Sequence, residues 1–269
     1  MDPVLQLPLP RVLIHNVGVA HLTDWSHATP SRSHWRFYYN SSPGATIVHG
    51  RRLIPLRPPT AVLIPPDTPI DRTLMRPVES LHVHFSAGYP YDELSGDVFT
   101  LEVKGWARGR IDELKGRIRA RGGLAASDHA ACVTLNAVVA NALCAVAPDL
   151  WPERDVDGRI RAAIRYMEEN LHQPATNLDL AGMCSLSESA FNHLFKEETG
   201  ESPQDFWRNL RLQRVSILLQ RTSDSIEWIA EQTGFCDRFY MSKCFKKRYG
   251  MGPAAYRRAV GAEGRPASA

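Results

Sequence analysis

Ile229-Ala230-Glu231-Gln232-Thr233-Gly234-Phe235 decides the fold of this chain, because the pattern downstream of it also stands about fifty residues earlier. After this stretch come Phe245-Lys246, Gly250, Pro253 and Tyr256; after Leu180-Ala181 come Phe195-Lys196, Gly200, Pro203 and Phe206. From each Phe-Lys the spacing is the same, with glycine after five residues, proline after eight and an aromatic after eleven. The second copy carries one extra residue upstream, which one helical turn absorbs. Two copies fall short of the roughly three that a stacked solenoid needs to bury its core. Two helix-turn-helix units in one rigid body make sense instead as two DNA-reading heads.

Outward from the repeat, the second half of the chain reads as capped helices. Asp157 caps a helix whose inward residues are Ile160, Ala163, Ile164, Met167 and Leu171. Asn177 caps a short helix over 178–184, and Ser187-Glu188 starts the next, with Phe191, Leu194 and Phe195 inward. Gly200 stops it. Ser202-Pro203 then opens a long helix, proline standing at the first position where its missing N–H costs nothing. Phe206, Leu210, Leu212, Val215, Leu218 and Leu219 are its buried set, and it serves as the spacer between the heads. Ser225 caps 226–233, Gly234-Phe235 makes the turn, and Asp237 opens the last reading helix.

The first hundred residues read as β structure: short runs rich in Val, Ile, Tyr and Phe between Pro and Gly breaks. Strands are expected at 11–20, 34–39, 45–49, 52–56, 61–64, 80–85 and 98–103, interrupted at Pro58-Pro59 and Pro65-Pro66-Asp67. Many short strands with frequent turns suggest a sandwich or small barrel. From Gly109 the period becomes helical, through Ile111, Leu114 and Ile118 to Gly122-Gly123. A second helix over 127–147 carries a stripe of Cys132, Leu135, Val139, Leu143 and Val146. That stripe either packs on its own β domain or forms a dimer seam.

Composition bounds the rest. The 269 residues suit two domains, and 43% hydrophobic content supports two modest cores. A net charge of +3 does not announce a nucleic-acid protein, so any basic face must be local. Five cysteines without a C-x-x-C pair read as reduced thiols of a cytoplasmic protein. Met1–Pro10 lacks the cationic region of a secretory signal, and the apolar stretch 130–147 is too short and too interrupted to span a membrane. No membrane association is expected.

Arg211-Leu212, Ile229-Ala230 with Gly234-Phe235 and Asp237, Phe245-Lys246-Lys247, Gly250, Pro253 and Tyr256-Arg257 resemble the AraC/XylS family of bacterial transcription regulators. The resemblance covers about a hundred residues. It implies an α+β protein of two domains: an N-terminal cupin-like β-barrel with trailing helices, and a C-terminal all-α domain of two helix-turn-helix motifs joined by a long helix. Domains are accordingly expected at 1–108 (effector-sensing barrel), 109–147 (helical dimerisation or packing segment), 148–156 (linker), 157–258 (DNA-binding domain) and 259–269 (disordered tail). It further implies promoter DNA, RNA polymerase, a small-molecule effector and a second copy of the chain as partners, and activation more often than repression. No cofactor is called for.

Carried over by position, the first reading helix presents Ser189, Ala190, Asn192 and His193, and the second Arg238, Phe239, Ser242 and Lys243. Arg238 and Lys243 suit guanine O6 and N7, Asn192 suits adenine, and Phe239 suits a thymine methyl. Lys196, Lys246, Lys247 and Arg248 suit phosphates, which set register without reading sequence. The chain departs from the family at Ser185, where glycine is usual in the first turn, at Met241, where phenylalanine is usual, and at Cys236 and Phe239, which replace commonly polar residues.

In the first half, alternation groups His34, Arg36 and Tyr38 on one face and pairs His82 with His84. With aromatic walls, such a set suits a sugar or similar hydroxylated effector. The competing reading is a metal-dependent cupin enzyme using His82-x-His84, but Glu79 points to the wrong face and Glu93 lies in a loop. An effector-independent regulator and a protein-interaction module also fit the pattern. No P-loop, G-x-G-x-x-G or G-x-S-x-G gives another enzyme class a foothold.

Overall fold

The computed structural model describes residues 10–25, 33–125, 127–151 and 156–261. The chain divides into two compact units, one built on Met1–Pro152 and one on Glu153–Arg265. Parts of the expected linker (152–155) and most of the expected tail (262–269) lie outside the described residues, as do positions 1–9.

Among the described residues of the first unit, eight strands form two antiparallel sheets. They are β1 (Leu13–Leu22), β2 (Trp35–Asn40), β3 (Ala45–His49), β4 (Arg52–Leu56), β5 (Thr60–Ile64), β6 (Asp71–Leu74), β7 (Val78–Ser86) and β8 (Phe99–Glu102). The larger sheet runs β1-β7-β2-β5-β8 and the smaller β4-β3-β6. Every residue of β2 is buried, and alternation explains how one strand satisfies two cores. Trp35, Phe37 and Tyr39 join Leu63, Leu81, Val83 and Phe85 under two helices, α1 (Gly105–Arg121) and α2 (His129–Leu143). Tyr38, Val62 and Ile64 face the other way, against Ile47, Ile54 and Leu56 of the small sheet.

The helices settle where the apolar stripe of α2 goes. Leu135, Val139 and Leu143, with Val146 just beyond the helix, are buried in the core shared with the larger sheet, and Cys132 at the stripe's start is half-buried, so the four buried residues are spent inside the unit rather than on a dimer seam. Helix α1 begins at Gly105, four residues before the periodicity announces it. It is pinned to the sheet by Lys115, whose Nζ lies 2.7 Å from Glu79 Oε1, and by Arg119, which grips the same carboxylate. Ser41 Oγ donates to Glu79 as well, at 2.8 Å. Burial alone would raise the Glu79 carboxyl; the bonds from Arg119, Lys115 and Ser41 outweigh it and hold the pKa at about 2.

The second unit contains α3 (Gly158–Glu169), α4 (Asn177–Met183), α5 (Glu188–Thr199), α6 (Pro203–Arg221), α7 (Ile226–Gln232), α8 (Arg238–Tyr249) and α9 (Pro253–Gly261). Asp157, Ser187, Ser202, Ser225 and Asp237 cap the helices they were expected to cap. Helix α4 is a correction. Its cap is Thr176, which forms a reciprocal capping box with Asp179, and Asn177 is the first helical residue. Gly200 and Gly250 end α5 and α8 in the left-handed conformation, at φ 80° and 76°.

Candidate nucleic-acid interface

The two repeats fold alike, hydrogen bond for hydrogen bond. After α4, Leu186 N donates to Ala181 O at 3.0 Å; after α7, Phe235 N donates to Ala230 O at 3.0 Å. Both turns pass through a left-handed residue, Ser185 at φ 54° in the first and Gly234 at φ 75° in the second. The extra residue of the second copy is Cys236, which sits after the turn and before the Asp237 cap. Downstream, Phe195 meets Phe206 edge-on at 5.4 Å between centroids, and Phe245 meets Tyr256 the same way at 5.2 Å. Proline, glycine and aromatic thus recur at fixed spacing because each reading helix is stopped, turned and packed onto the next helix in one manner.

Burial along α5 and α8 follows the same order from Phe191 and Met241 onward. Phe191 and Phe195, or Met241 and Phe245, face the core. Ser189, Ala190 and His193 are exposed on α5, and Arg238, Phe239 and Lys243 on α8; Asn192 and Ser242 occupy equivalent half-buried positions. Asn192 Oδ1 accepts from Asn177 Nδ2 at 2.9 Å, and Gln204 donates in turn to Asn177, so this amide is held from behind. His193 Nδ1 lies 3.7 Å from Glu197. The Arg238 guanidinium stacks 4.8 Å over the Phe239 ring and reaches Glu227 at 3.7 Å. Lys196, Lys246 and Lys247 are exposed, whereas Arg248 is half-buried against Tyr249 at 5.7 Å.

Tyr240 joins this face without being among the residues expected there. It is 44% exposed beside Phe239 and occupies the position equivalent to Ala190, so stepping through the repeat residue by residue finds it. Its backbone N–H and that of Phe239 are capped by Asp237 at 2.8 and 2.7 Å. Hydrogen bonds from Tyr240, Cys236 and Phe239 lower the Asp237 carboxyl, which therefore stays ionised at the start of α8.

One side chain joins the second turn to the loop that precedes the first head. Arg211 of α6 donates to Leu171 O (2.8 Å) and Gln173 O (3.0 Å) in the loop after α3, and to Gly234 O (3.0 Å) in the second turn. Its guanidinium also lies 4.8 Å over the Trp207 ring. A β-carbon at Gly234 would stand 2.4 Å from Leu171 O and 3.1 Å from Arg211, so this turn requires glycine for space as well as for φ.

In the first unit the predicted effector residues do gather, on the larger sheet's face turned toward the small sheet. The His34 and His84 rings lie 5.1 Å apart, His82 and His84 5.5 Å, and Tyr38 Oη approaches His84 Nε2 at 3.4 Å. Arg36 is buried there and donates from Nη2 to Thr68 O at 2.8 Å. A bulge between Ile14 and Asn16 adds His15, whose ring is 5.8 Å from that of His34 and which hydrogen-bonds Ser86 Oγ at 2.6 Å. Gly18 leaves room for His82, since a β-carbon there would meet the ring at 2.7 Å. Glu79 faces the opposite way, as expected, bound to Lys115 and Arg119. Among the described residues no group of three or more His, Cys, Asp or Glu is arranged to hold a metal ion.

Residues 180–259 match a family model described as a helix-turn-helix domain. The raffinose operon transcriptional regulatory protein RafR of Pediococcus pentosaceus is 35% identical over 99 residues, which are 37% of this chain and 36% of that protein. The arabinose operon regulatory protein of Escherichia coli K12 is 31% identical over 105 residues, 38% of this chain and 35% of that protein. The chain thus spans about a third of the length of these curated relatives. Among solved structures, the C-terminal domain of AraT, a response regulator from Geobacillus stearothermophilus, is 28% identical with a TM-score of 0.38, covering 39% of this chain and 88% of that one.

Proposed function

We propose that this chain, whose C-terminal unit belongs to the AraC/XylS family of transcription regulators, is a sequence-specific regulator that reads promoter DNA with α5 and α8. The observation that carries this reading is the pair of equivalent exposed helix faces on one body, with Arg211 clamping the second turn to the loop behind the first head. Two such faces suit major-groove segments about one helical turn, or roughly 34 Å, apart. Ser189, Ala190, Asn192 and His193 read bases in the first segment; Arg238, Phe239, Ser242 and Lys243 read the second, together with Tyr240. Lys196, Lys246, Lys247 and Arg248 hold phosphates. The gathered histidines, Arg36 and Tyr38 of the first unit receive a small-molecule effector that controls DNA binding. Polymerase contact and self-association complete the proposal. Among the described residues no helix is long and apolar enough to cross a membrane.

Fluorescence anisotropy on DNA from upstream of the neighbouring genes tests the assignment. Arg238→Ala lowers affinity for the preferred site by roughly 1–3 kcal/mol and relaxes one base position. Lys247→Ala weakens all sequences alike and reduces the salt slope by about 0.9. Wild-type affinity and salt dependence in both variants would remove α8 from the interface.

A further inference from the structure

We infer that the ligand of the first unit is a small hydroxy acid, bound as its anion with the carboxylate at one end of the inward face and hydroxyls at the other. The inference rests on the small-molecule reading above and names the chemical class. The strand register arranges the inward face in rungs. Ala20, Ser80 and Asn40 form one; Gly18, His82, Tyr38 and Val62 the next; Asn16, His84, Arg36 and Ile64 a third. His15 and His34 lie beside the third rung. The face therefore runs from neutral amide and hydroxyl groups to a cluster of four histidines and an arginine.

No inward position of these rungs carries Asp or Glu. A neutral sugar presents many hydroxyl donors, which are answered best by acceptor-only carboxylates. An anion needs donors, and arginine and imidazole supply them in charge-assisted form. The other end has a different need. Asn40 is fully buried with neither Nδ2 nor Oδ1 hydrogen-bonded, and the buried Ser80 Oγ facing it has no partner. Amide and hydroxyl each donate and accept, which is what an alcohol complements. Four residues separate the Asn40 and Arg36 rungs, about 13 Å at ~3.3 Å per residue. A five- or six-carbon acid with a hydrogen bond at each end covers a comparable length. Half-exposed Gly18, Ala20 and His82 leave one side of the face open.

Isothermal titration of the full-length protein with matched pairs tests the class: gluconate against glucose, galacturonate against galactose, arabinonate against arabinose. The expected result is an acid that binds at least tenfold more tightly than its neutral counterpart. Asn40→Asp, which adds a carboxylate to the face, and His82→Gln, which removes a basic group at a half-exposed position, each weaken the acid at least fivefold. Binding of a neutral sugar as tight as its acid overturns the inference while leaving the small-molecule reading intact. Failure of every acid and every sugar to bind removes both.

Discussion

Replacing Arg211 with alanine tests whether the two heads are one body because of a single side chain. The guanidinium makes three hydrogen bonds to carbonyls from two loops and covers the Trp207 ring. Bonds from charged donors contribute about 1.5–3 kcal/mol each, and a partly exposed cation–π contact about 0.5–1 kcal/mol. The bond to Gln173 is exposed and counts for little, while water recovers part of the others in the variant. A net loss of about 3 kcal/mol results, or roughly a hundredfold in the opening equilibrium of the second turn. Burial lowers the Arg211 pKa from its ordinary value; a guanidinium keeps its proton in proteins, so the bonds are those of a cation. Hydrogen exchange by mass spectrometry should show faster exchange around Leu171–Gln173 and Thr233–Phe235, with α1 and α2 unaffected. Affinity for a two-segment DNA site should fall toward that of one segment alone, while affinity for a single segment changes little. Arg211→Lys, whose ammonium cannot fork to both loops, should recover less than half of the loss. Unchanged exchange with unchanged two-segment affinity would refute the clamp.

Three further outcomes are expected from the geometry. Ser185→Gly relieves a left-handed serine in the first turn and should raise stability by about 0.5–1 kcal/mol in denaturant titration, glycine's unfolded-state entropy cancelling part of the gain. Gly234→Ala should do the reverse and cost more than about 2 kcal/mol, because its β-carbon meets Leu171 O. Glu79 has a folded pKa of about 2, below its ordinary 4.5, so its contribution is fully present above the ordinary value and is lost as pH falls through about 2. Discounted for the quarter of the side chain that sees solvent, that contribution is about 2 kcal/mol; Glu79→Gln should lose it at pH 7 and flatten the acid limb of the stability profile.

Much of this architecture is legible because periodicity and punctuation agree in the sequence. Helices α3, α5, α6, α7 and α8 begin where Ser or Asp precedes an apolar stripe, and α5 and α8 stop at glycine. Thr176 and Asn177 both suit a cap, and only the reciprocal bond with Asp179 distinguishes them. Strand β6 escapes a reading by pattern, since Asp71-Arg72-Thr73-Leu74 has a single buried residue and no apolar alternation. Alternation places His34, Arg36, Tyr38, His82 and His84 correctly on one face, but His15 joins them through a bulge, which breaks the period-two rule locally. Arg211 is visible as a motif residue; its partners forty and twenty-three positions away are not.

The repeat's two heads are alike in backbone and opposite in charge, and this decides how each grips DNA. Helix α5 carries one lysine against three glutamates, while α8 carries five basic residues and no acidic one. Glu188 stands where α8 has Arg238, Glu197 faces His193, and Asn192 is braced by Asn177. Counterion release should therefore come almost wholly from the second head. Lys246→Ala and Lys247→Ala together should reduce the slope of log affinity against log salt by nearly 2, and Lys196→Ala by less than about 0.9. Asn192→Ala should leave the slope alone and change preference within the first segment. If Lys196→Ala flattened the salt dependence more than the pair in α8, the heads would have exchanged roles. The near-neutral total charge of the chain would then conceal a different basic face.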